Sequence, residues 1–432
     1  MGAMKTLISN ALILPMTSEN VSFTGDIGIE GKKIVFAGKG PQDFVADKTI
    51  DGSSFIAMPA LVNTHTHLSM GLMRNYKDTA ANLQDWLGEI FPIEAKLTDS
   101  DILTASRLGV IESIQSGITT FNDMYFSQAA TAQAANEAGI RACIGLTLFG
   151  NLEDSKKRMA KNPKDIRYEV ERSDGRIIVS VAPHAIYTCS ADTYRYGHDW
   201  ALDHQLLLHT HLSETKAEFD ECIAEHGKTP LRYLYDMGIF SGIKSILAHC
   251  VYLTDEDIRL LATLDASIAH NPTSNCKLAS GIAPIGNYSR QGINVSLGTD
   301  GSSSNNNQNM FEEMHIASLL STVSSGNPGN LSPYKILEMA TINGAKALGL
   351  DSRIGTIEVG KEADLILIDT KKSHLTPLND PFSSLVFSTQ ASDIDSVFCQ
   401  GKLVMENKNL LGLDFESIRE QTNACWDDIQ KR

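Results

Sequence analysis

The sequence predicts an α/β protein, a (β/α)8 TIM barrel that carries a small β-sandwich built from both chain ends. Between residues 58 and 365, about eight short apolar runs alternate with longer amphipathic stretches, which is the texture of βα repetition. Before and after that span the texture changes to short alternating runs cut by Gly, Asp and Asn, as in small antiparallel strands. The length of 432 residues exceeds one ordinary domain and suits a barrel with an appendage.

In chain order, TLISNALILP, DIGIEGKKIVFAG and TIDGSSFIAMP give the first strands and assign residues 1–57 to the sandwich. The barrel strands follow as FIAMPALVNTHTH, ITTFNDMY, RACIGLTLFG, RIIVSVAPHAIY, HQLLLHTHLSE, KSILAHCVYLT, DASIAHNPTSN and INVSLGTDGS. Helical patterns such as DSDILTASRLGVIESIQSG separate them. Residues 151–164 are charged and helical in texture, and the pattern leaves open an insertion or a lid. The run SSSNNNQN at 302–309 reads as a polar loop. ADLILIDT and SVFCQGKLVMENK then resume the alternating style, with Gln400-Gly401 suited to a two-residue hairpin turn, so residues 366–432 are expected to complete the sandwich.

Composition narrows the function. With 42% hydrophobic and 21% charged residues and no apolar run near the roughly 20 residues that cross a bilayer, the chain is not expected to meet a membrane. A formal charge of -15 without any local block of Lys or Arg argues against nucleic acid and for a small-molecule substrate. The opening MGAMKTLISN lacks the basic-then-apolar layout of a secretory signal, and residues 1–3 are set aside. Seven scattered cysteines with no C-x-x-C argue against a disulfide framework or a structural zinc knuckle, and fit the reducing cytoplasm.

A barrel of this kind places its chemistry where its strands end. Six of the apolar runs end in histidine or aspartate: His65 and His67, His184, His211 with Glu214 beyond it, His249, His270, and Asp300. One such histidine is ordinarily a hydrogen-bonded core residue. Six together would need as many separate partners, and a shared cation answers that need. His65 and His67 stand at i and i+2, so a strand points both to one side and lets them grip one ion. The same rule makes His209 and His211 co-facial. Only His211 stands at the strand end, which makes it the ligand, Glu214 the acid/base group and His209 a buried supporting residue. With Asp300 these form a mixed N/O set suited to zinc or iron with one position open for water.

These motifs resemble the amidohydrolase superfamily of metal-dependent barrels, and IGTIEVGKEADLILID resembles that superfamily's return into its β-sandwich. Within it, NTHTHLSMGLMRNYKD, Trp86, Glu94, APHAIYTCS, HTHLSET and HNPTSNCKLASG resemble the 5-methylthioadenosine/S-adenosylhomocysteine deaminases, near the chlorohydrolase and guanine deaminase branches. The resemblance implies one divalent metal per subunit, zinc with iron as the alternative, held by His65, His67, His211 and Asp300. It implies that Glu214, His249 and Asp300 are catalytic, that Glu94 holds ribose hydroxyls, and that Trp86 stacks near the nucleoside. His184, Glu214 and Asp300 would meet the substrate, and Arg158 would receive the amino-acid carboxylate of S-adenosylhomocysteine. A cytoplasmic homo-oligomer that hydrolytically deaminates adenine nucleosides is the expectation. Another ring deaminase or a dechlorinating hydrolase, acting on guanine, adenosine or an s-triazine, is the alternative. Two-metal relatives bridge their ions with a carboxylated Lys on a middle strand, where RIIVSVAPHAIY offers His184; one metal is therefore expected, and a cyclic-amide hydrolase is disfavoured.

Overall fold

Both ends of the chain meet in one mixed sheet in the computed structural model, which describes residues 3–80 and 82–432. Met1 and Gly2, set aside above, lie outside the described residues, as does Ala81. The N-terminal strands are β1 (Lys5–Ile13), β2 (Phe23–Glu30), β3 (Lys33–Gly38), β4 (Lys48–Asp51) and β5 (Phe55–Pro59). The barrel strands are β6 (Leu61–Thr66), β7 (Ile118–Asp123), β8 (Arg141–Leu148), β9 (Ile177–Pro183), β10 (Leu207–Leu212), β11 (Ser245–His249), β12 (Ala266–His270) and β13 (Asn294–Leu297). The chain returns through β14 (Leu365–Asp369), β15 (Ile394–Cys399), β16 (Lys402–Glu406) and β17 (Asn409–Leu410).

The eight barrel strands run parallel in sequence order. Their residues are almost all buried, as helices cover the outer face and side chains fill the inner one, so they read as continuous apolar runs. The seam between β13 and β6 is joined by single bonds: Asp300 N donates to His65 O at 3.0 Å, Thr64 to Leu297 O at 2.8 Å, and the Asn63 amide to Thr299 at 2.7 Å. Side-chain caps start the outer helices. Thr98 with Asp101 and Thr254 with Asp257 form reciprocal capping boxes, satisfying backbone N–H groups that have no partner within the helix.

The sandwich expected from the two ends is built as nine mixed strands that branch at β1. Residues 6–9 of β1 pair with β4, and residues 12–13 pair with β5. Ile8, Ile27, Ala57, Leu365, Leu367 and Phe398 form a single apolar cluster within it. The Gln400-Gly401 turn joins β15 to β16 with both residues at positive φ, 49° and 72°, as a type I′ hairpin requires.

Three features differ from the sequence reading. FIAMPALVNTHTH divides: β5 pairs in the smaller sheet and β6 opens the barrel, with Ala60 between them. Its uniform hydrophobicity leaves no periodicity to mark the change. Residues 366–432 also supply the helices Pro381–Phe387 and Phe415–Ile429, which pack on barrel helices rather than in the sandwich. Ile429 is buried with Ile102 and Ala105, and Arg432 pairs with Asp101 at 2.6 Å. The charged stretch after residue 151 is neither insertion nor lid but the start of the regular helix Leu152–Arg172 that follows β8. SSSNNNQN is a polar loop, as expected, and it is largely buried, with Gln308 0% exposed.

Arg141, 1% exposed at the start of β8, ties the two sheets together. It pairs with Asp364 at 2.7 Å and with Glu362. None of the described helices is long and apolar enough to cross a membrane.

Candidate metal centre and active-site pocket

The C-terminal ends of the barrel strands bring the expected ligands to one point. His65 Nε2 and His67 Nε2 lie 3.5 and 3.4 Å from Asp300 Oδ1, and His67 Nε2 lies 3.3 Å from His211 Nε2. His65, His67 and Asp300 offer ligand atoms all within 4.8 Å of one another, as do His65, His211 and His249. All are buried.

The opposite ring nitrogens are engaged, which fixes each imidazole. His67 Nδ1 donates to Met124 O, His211 Nδ1 to His184 O at 2.9 Å, and His249 Nδ1 to Asn275 Oδ1 at 2.8 Å. His65 Nδ1 shares a 2.9 Å hydrogen bond with His209 Nε2, so His209 is the buried supporting residue expected. Asp300 accepts from Ser274 at 2.6 Å and from Gly301 N at 2.8 Å.

This donor set fits a divalent cation. His65 Nε2 is buried without a hydrogen-bond partner among the described residues, and an orphaned buried nitrogen aimed at a carboxylate and two further imidazoles calls for a shared positive ion. Burial lowers His65 to about 4 and pulls His67 and His211 below the ordinary histidine value, leaving neutral rings with free lone pairs. Burial would raise Asp300, but the neighbouring His65 and His67 hold it well below the usual carboxylate range. Three neutral imidazoles and one anion remain, as zinc-type sites require.

Two buried titratable groups, Glu214 and His249, sit beside these side chains. His249 Nε2 is 3.7 Å from Glu214 Oε2 and 3.9 Å from Asp300 Oδ2. Burial would depress His249, but these two carboxylates outweigh it and raise its pKa. Burial raises Glu214, with His249 opposing. Ser213, His249 and Asp300 all adopt positive φ, 52°, 73° and 60°. Such backbone is costly outside glycine and persists only where the surroundings impose it, as at functional sites. Glu218 helps impose it, accepting Ser213 N at 3.0 Å and Glu214 N at 2.7 Å.

The centre opens into a pocket at the C-terminal end of the barrel. His67, His211, Glu214, His249 and Asp300 form its floor, and Trp86, Glu94 and His184 line it as expected. The Trp86 indole N–H is buried with no partner among the described residues. Glu94 accepts the Tyr125 hydroxyl at 2.6 Å, and burial lifts it to about 7 against that hydrogen bond. His184 Nδ1 bonds Thr188 at 2.8 Å, and burial drops the ring to about 3, so it meets the pocket neutral. Arg158 does not line the pocket. Its guanidinium lies 5.3 Å from the Phe126 ring centre, in an adjoining cleft. His270 lies in the buried core away from the pocket, as a lone strand histidine ordinarily does.

Sequence reasoning missed Tyr125, Phe149 and Tyr187 in the walls, and Ser274, Asn275 and Glu218 behind the ligands. Ser274 and Asn275 fall inside HNPTSN, so their signal was present without an assigned role. Glu218 stands one helical turn beyond Glu214 and carries no motif of its own.

Fold and ligand set together define a barrel hydrolase built around a divalent cation. Residues 56–404 match the amidohydrolase family, and the chain belongs to that family. It is 43% identical over 419 residues, 96% of this chain and 97% of the other, to the 5-methylthioadenosine/S-adenosylhomocysteine deaminase of Thermoanaerobacter pseudethanolicus. It is 40% identical over 430 residues, 99% of this chain and 98% of the other, to the 5′-deoxyadenosine deaminase of Methanosarcina acetivorans. An adenosine deaminase from Xanthomonas campestris with bound zinc superimposes with a TM-score of 0.93 at 28% identity, over 99% of both chains.

Proposed function

We propose that the protein hydrolytically deaminates adenine nucleosides, among them 5′-methylthioadenosine, to the inosyl product and ammonia, with one zinc ion per chain. The observation that carries this is the Glu214–His249–Asp300 cluster. It sets a protonatable buried carboxyl and an anion each within 4 Å of one histidine at the floor of the pocket. A ligand-binding barrel would need the ligands alone. The names of the relatives support adenine nucleosides as the substrate class, and the zinc-bound neighbour supports zinc. Seven cysteines, all free, support the reducing cytoplasm.

His65, His67, His211 and Asp300 would hold the metal, which when bound supplies a water whose pKa falls to roughly 7. Asp300 and His249 stand where they would accept the protons given up by the attacking water, return them through Glu214 and orient its oxygen toward C6. Glu214, kept protonatable by burial, delivers a proton to ring N1 and later one to the leaving amino group, so that C6–O forms, C6–N6 breaks and ammonia departs. Glu94 accepts from the vicinal ribose hydroxyls, while the indole N–H of Trp86 and the imidazole of His184 face the bound nucleoside.

The test is a panel of adenosine, 5′-methylthioadenosine, S-adenosylhomocysteine, guanine and s-triazines, with ammonia and chloride release measured. Adenine nucleosides are expected to lead by at least tenfold in kcat/KM. Chloride release from a triazine, or guanine turnover without nucleoside turnover, would overturn the reading.

A further inference from the structure

Resting on the deaminase reading and deepening it, we propose that Glu218 is a positioning residue for the proton transfers, acting through Glu214. Glu218 is 3% exposed and does not line the pocket, so it has no contact with the substrate. It stands in the first turn of the helix Lys216–His226, which follows β10, and its own N–H donates to the cap residue Thr215 at 3.1 Å. A glutamate at this place ordinarily accepts in return from the N–H of the cap residue. This one reaches further back: Oε1 accepts from Ser213 N at 3.0 Å and Oε2 from Glu214 N at 2.7 Å. Ser213 turns the chain at a φ of 52°, which lets two successive N–H groups converge on one carboxylate.

The peptide that joins Ser213 to Glu214 is therefore held at both ends. Its N–H meets Glu218, while its carbonyl, Ser213 O, accepts from Val251 N and Tyr252 N at 3.0 Å each, just past His249 at the end of β11. A peptide plane fixed at both ends fixes the direction in which the next side chain leaves the backbone. Glu214 depends on this, because little else aims its carboxyl: a 3.4 Å hydrogen bond from Ser280, with His249 Nε2 3.7 Å away. A displacement of about 1 Å in a reacting group can cost about 100-fold in rate. Glu218→Gln keeps the volume but leaves one acceptor oxygen, so one of the two N–H groups would face an amide donor. The grip on the peptide would then open, and Glu214 would lose its aim.

The experiment measures kcat, KM and bound zinc with 5′-methylthioadenosine for the zinc-loaded parent, Glu218→Gln, Glu218→Asp, Glu214→Gln and the double variant Glu214→Gln/Glu218→Gln. Glu218→Gln is expected to lower kcat at least 30-fold while KM stays within threefold and zinc content is unchanged. In the double variant it is expected to add less than threefold to the loss caused by Glu214→Gln, since a residue that works through Glu214 has nothing left to aim. Glu218→Asp keeps both acceptors on a side chain one methylene shorter. It is expected to lower kcat at least tenfold at unchanged KM, which keeps the test decisive if the amide variant folds poorly. Parental kcat in Glu218→Gln, a loss that multiplies with that of Glu214→Gln, or a loss of zinc or of folding in both Glu218 variants would overturn the inference while leaving the deaminase reading intact. A parent that turns over no adenine nucleoside would overturn the deaminase reading, and this one with it.

Discussion

Replacing Glu94 by glutamine is expected to make the protein more stable and less active, and the pH dependence of both effects follows from one carboxyl group. Burial lifts Glu94 from 4.5 to about 7, against the pull of the Tyr125 hydroxyl. A raised carboxyl pKa means that the folded chain holds the proton more tightly than the unfolded chain. The favourable contribution is therefore full below pH 4.5 and is lost as pH rises through about 7. That displacement corresponds to about 3 kcal/mol at most, and solvent reaching the group from the pocket reduces it to about 2 kcal/mol. The amide of the Glu94→Gln variant would keep an acceptor for Tyr125 and never ionise, so at pH 8 the variant should melt roughly 2 °C higher, with most of the gap closed at pH 5. Turnover should move the other way. Loss of a charged acceptor for the ribose hydroxyls costs about 2 kcal/mol, or roughly 30-fold in kcat/KM, while 2′-deoxyadenosine should lose far less. In the parent, KM for ribonucleosides should fall as pH rises through about 7, and in the variant that slope should flatten. Calorimetry at the two pH values with steady-state kinetics on both sugars checks all of this. A variant with parental kcat/KM on ribonucleosides and no pH-dependent gain in melting temperature would refute the reasoning.

Glu214→Gln should retain its metal by elemental analysis while kcat drops about 10³-fold; near-normal turnover would remove Glu214 from the proton path. His65→Ala should lose the ion and keep its circular dichroism, and full occupancy in that variant would refute the ligand assignment. Metal analysis of the parent should give one ion per chain, since His184 stands where a bridging lysine would be needed, and two ions would contradict the site as described. Gln308→Leu, behind Asp300 rather than in the pocket lining, should weaken metal affinity about tenfold in a chelator competition, because Gln308 contacts Asn63, Thr66 and Thr299 on both sides of the barrel seam; unchanged affinity would show that the seam holds without it.

The cluster proposed to hold the metal was legible because two rules meet on it: barrel chemistry gathers at strand ends, and i, i+2 residues share a strand face. Those rules reach His65, His67, His211 and Asp300, and the strand-end rule reaches His184, His249 and His270 as well. Tyr125 and Phe149 obey the strand-end rule equally, just past β7 and β8, yet aromatic residues there look like ordinary core, so nothing set them apart. Trp86 and Glu94 sit on the helix Leu83–Glu94, outside any barrel strand, and only resemblance reached them. Arg158 shows the limit of resemblance without position, since a helical arginine in a charged stretch has many faces to choose from, and this one faces Phe126. The split of FIAMPALVNTHTH between two sheets was invisible because burial on both faces erases alternation.

The polar run at 302–309 is the loop expected, but a largely buried one, and its composition is its explanation. β6 and β13, the first and last barrel strands, carry ligands at their ends, and hydrogen bonds from single side chains and backbone groups cross between them. Whatever fills the space behind Asp300 must bond both strands without placing a full charge beside a carboxylate whose ionisation the metal site depends on. Amides and hydroxyls meet both conditions. Gln308 accepts from Asn63, Thr66 and Thr299 and donates toward Asp300 O and Ser302, and Asn305 donates to Thr299 O and Glu313. Burial lifts even Glu313 to about 8, so at neutral pH it too is mostly uncharged. A stretch rich in Ser, Asn and Gln with no Lys, Asp or Glu is what such a plug demands, and a solvent loop of the same length has no reason to exclude charge. That exclusion, directly after a strand-end Asp300, is the signal that separates the two in sequence.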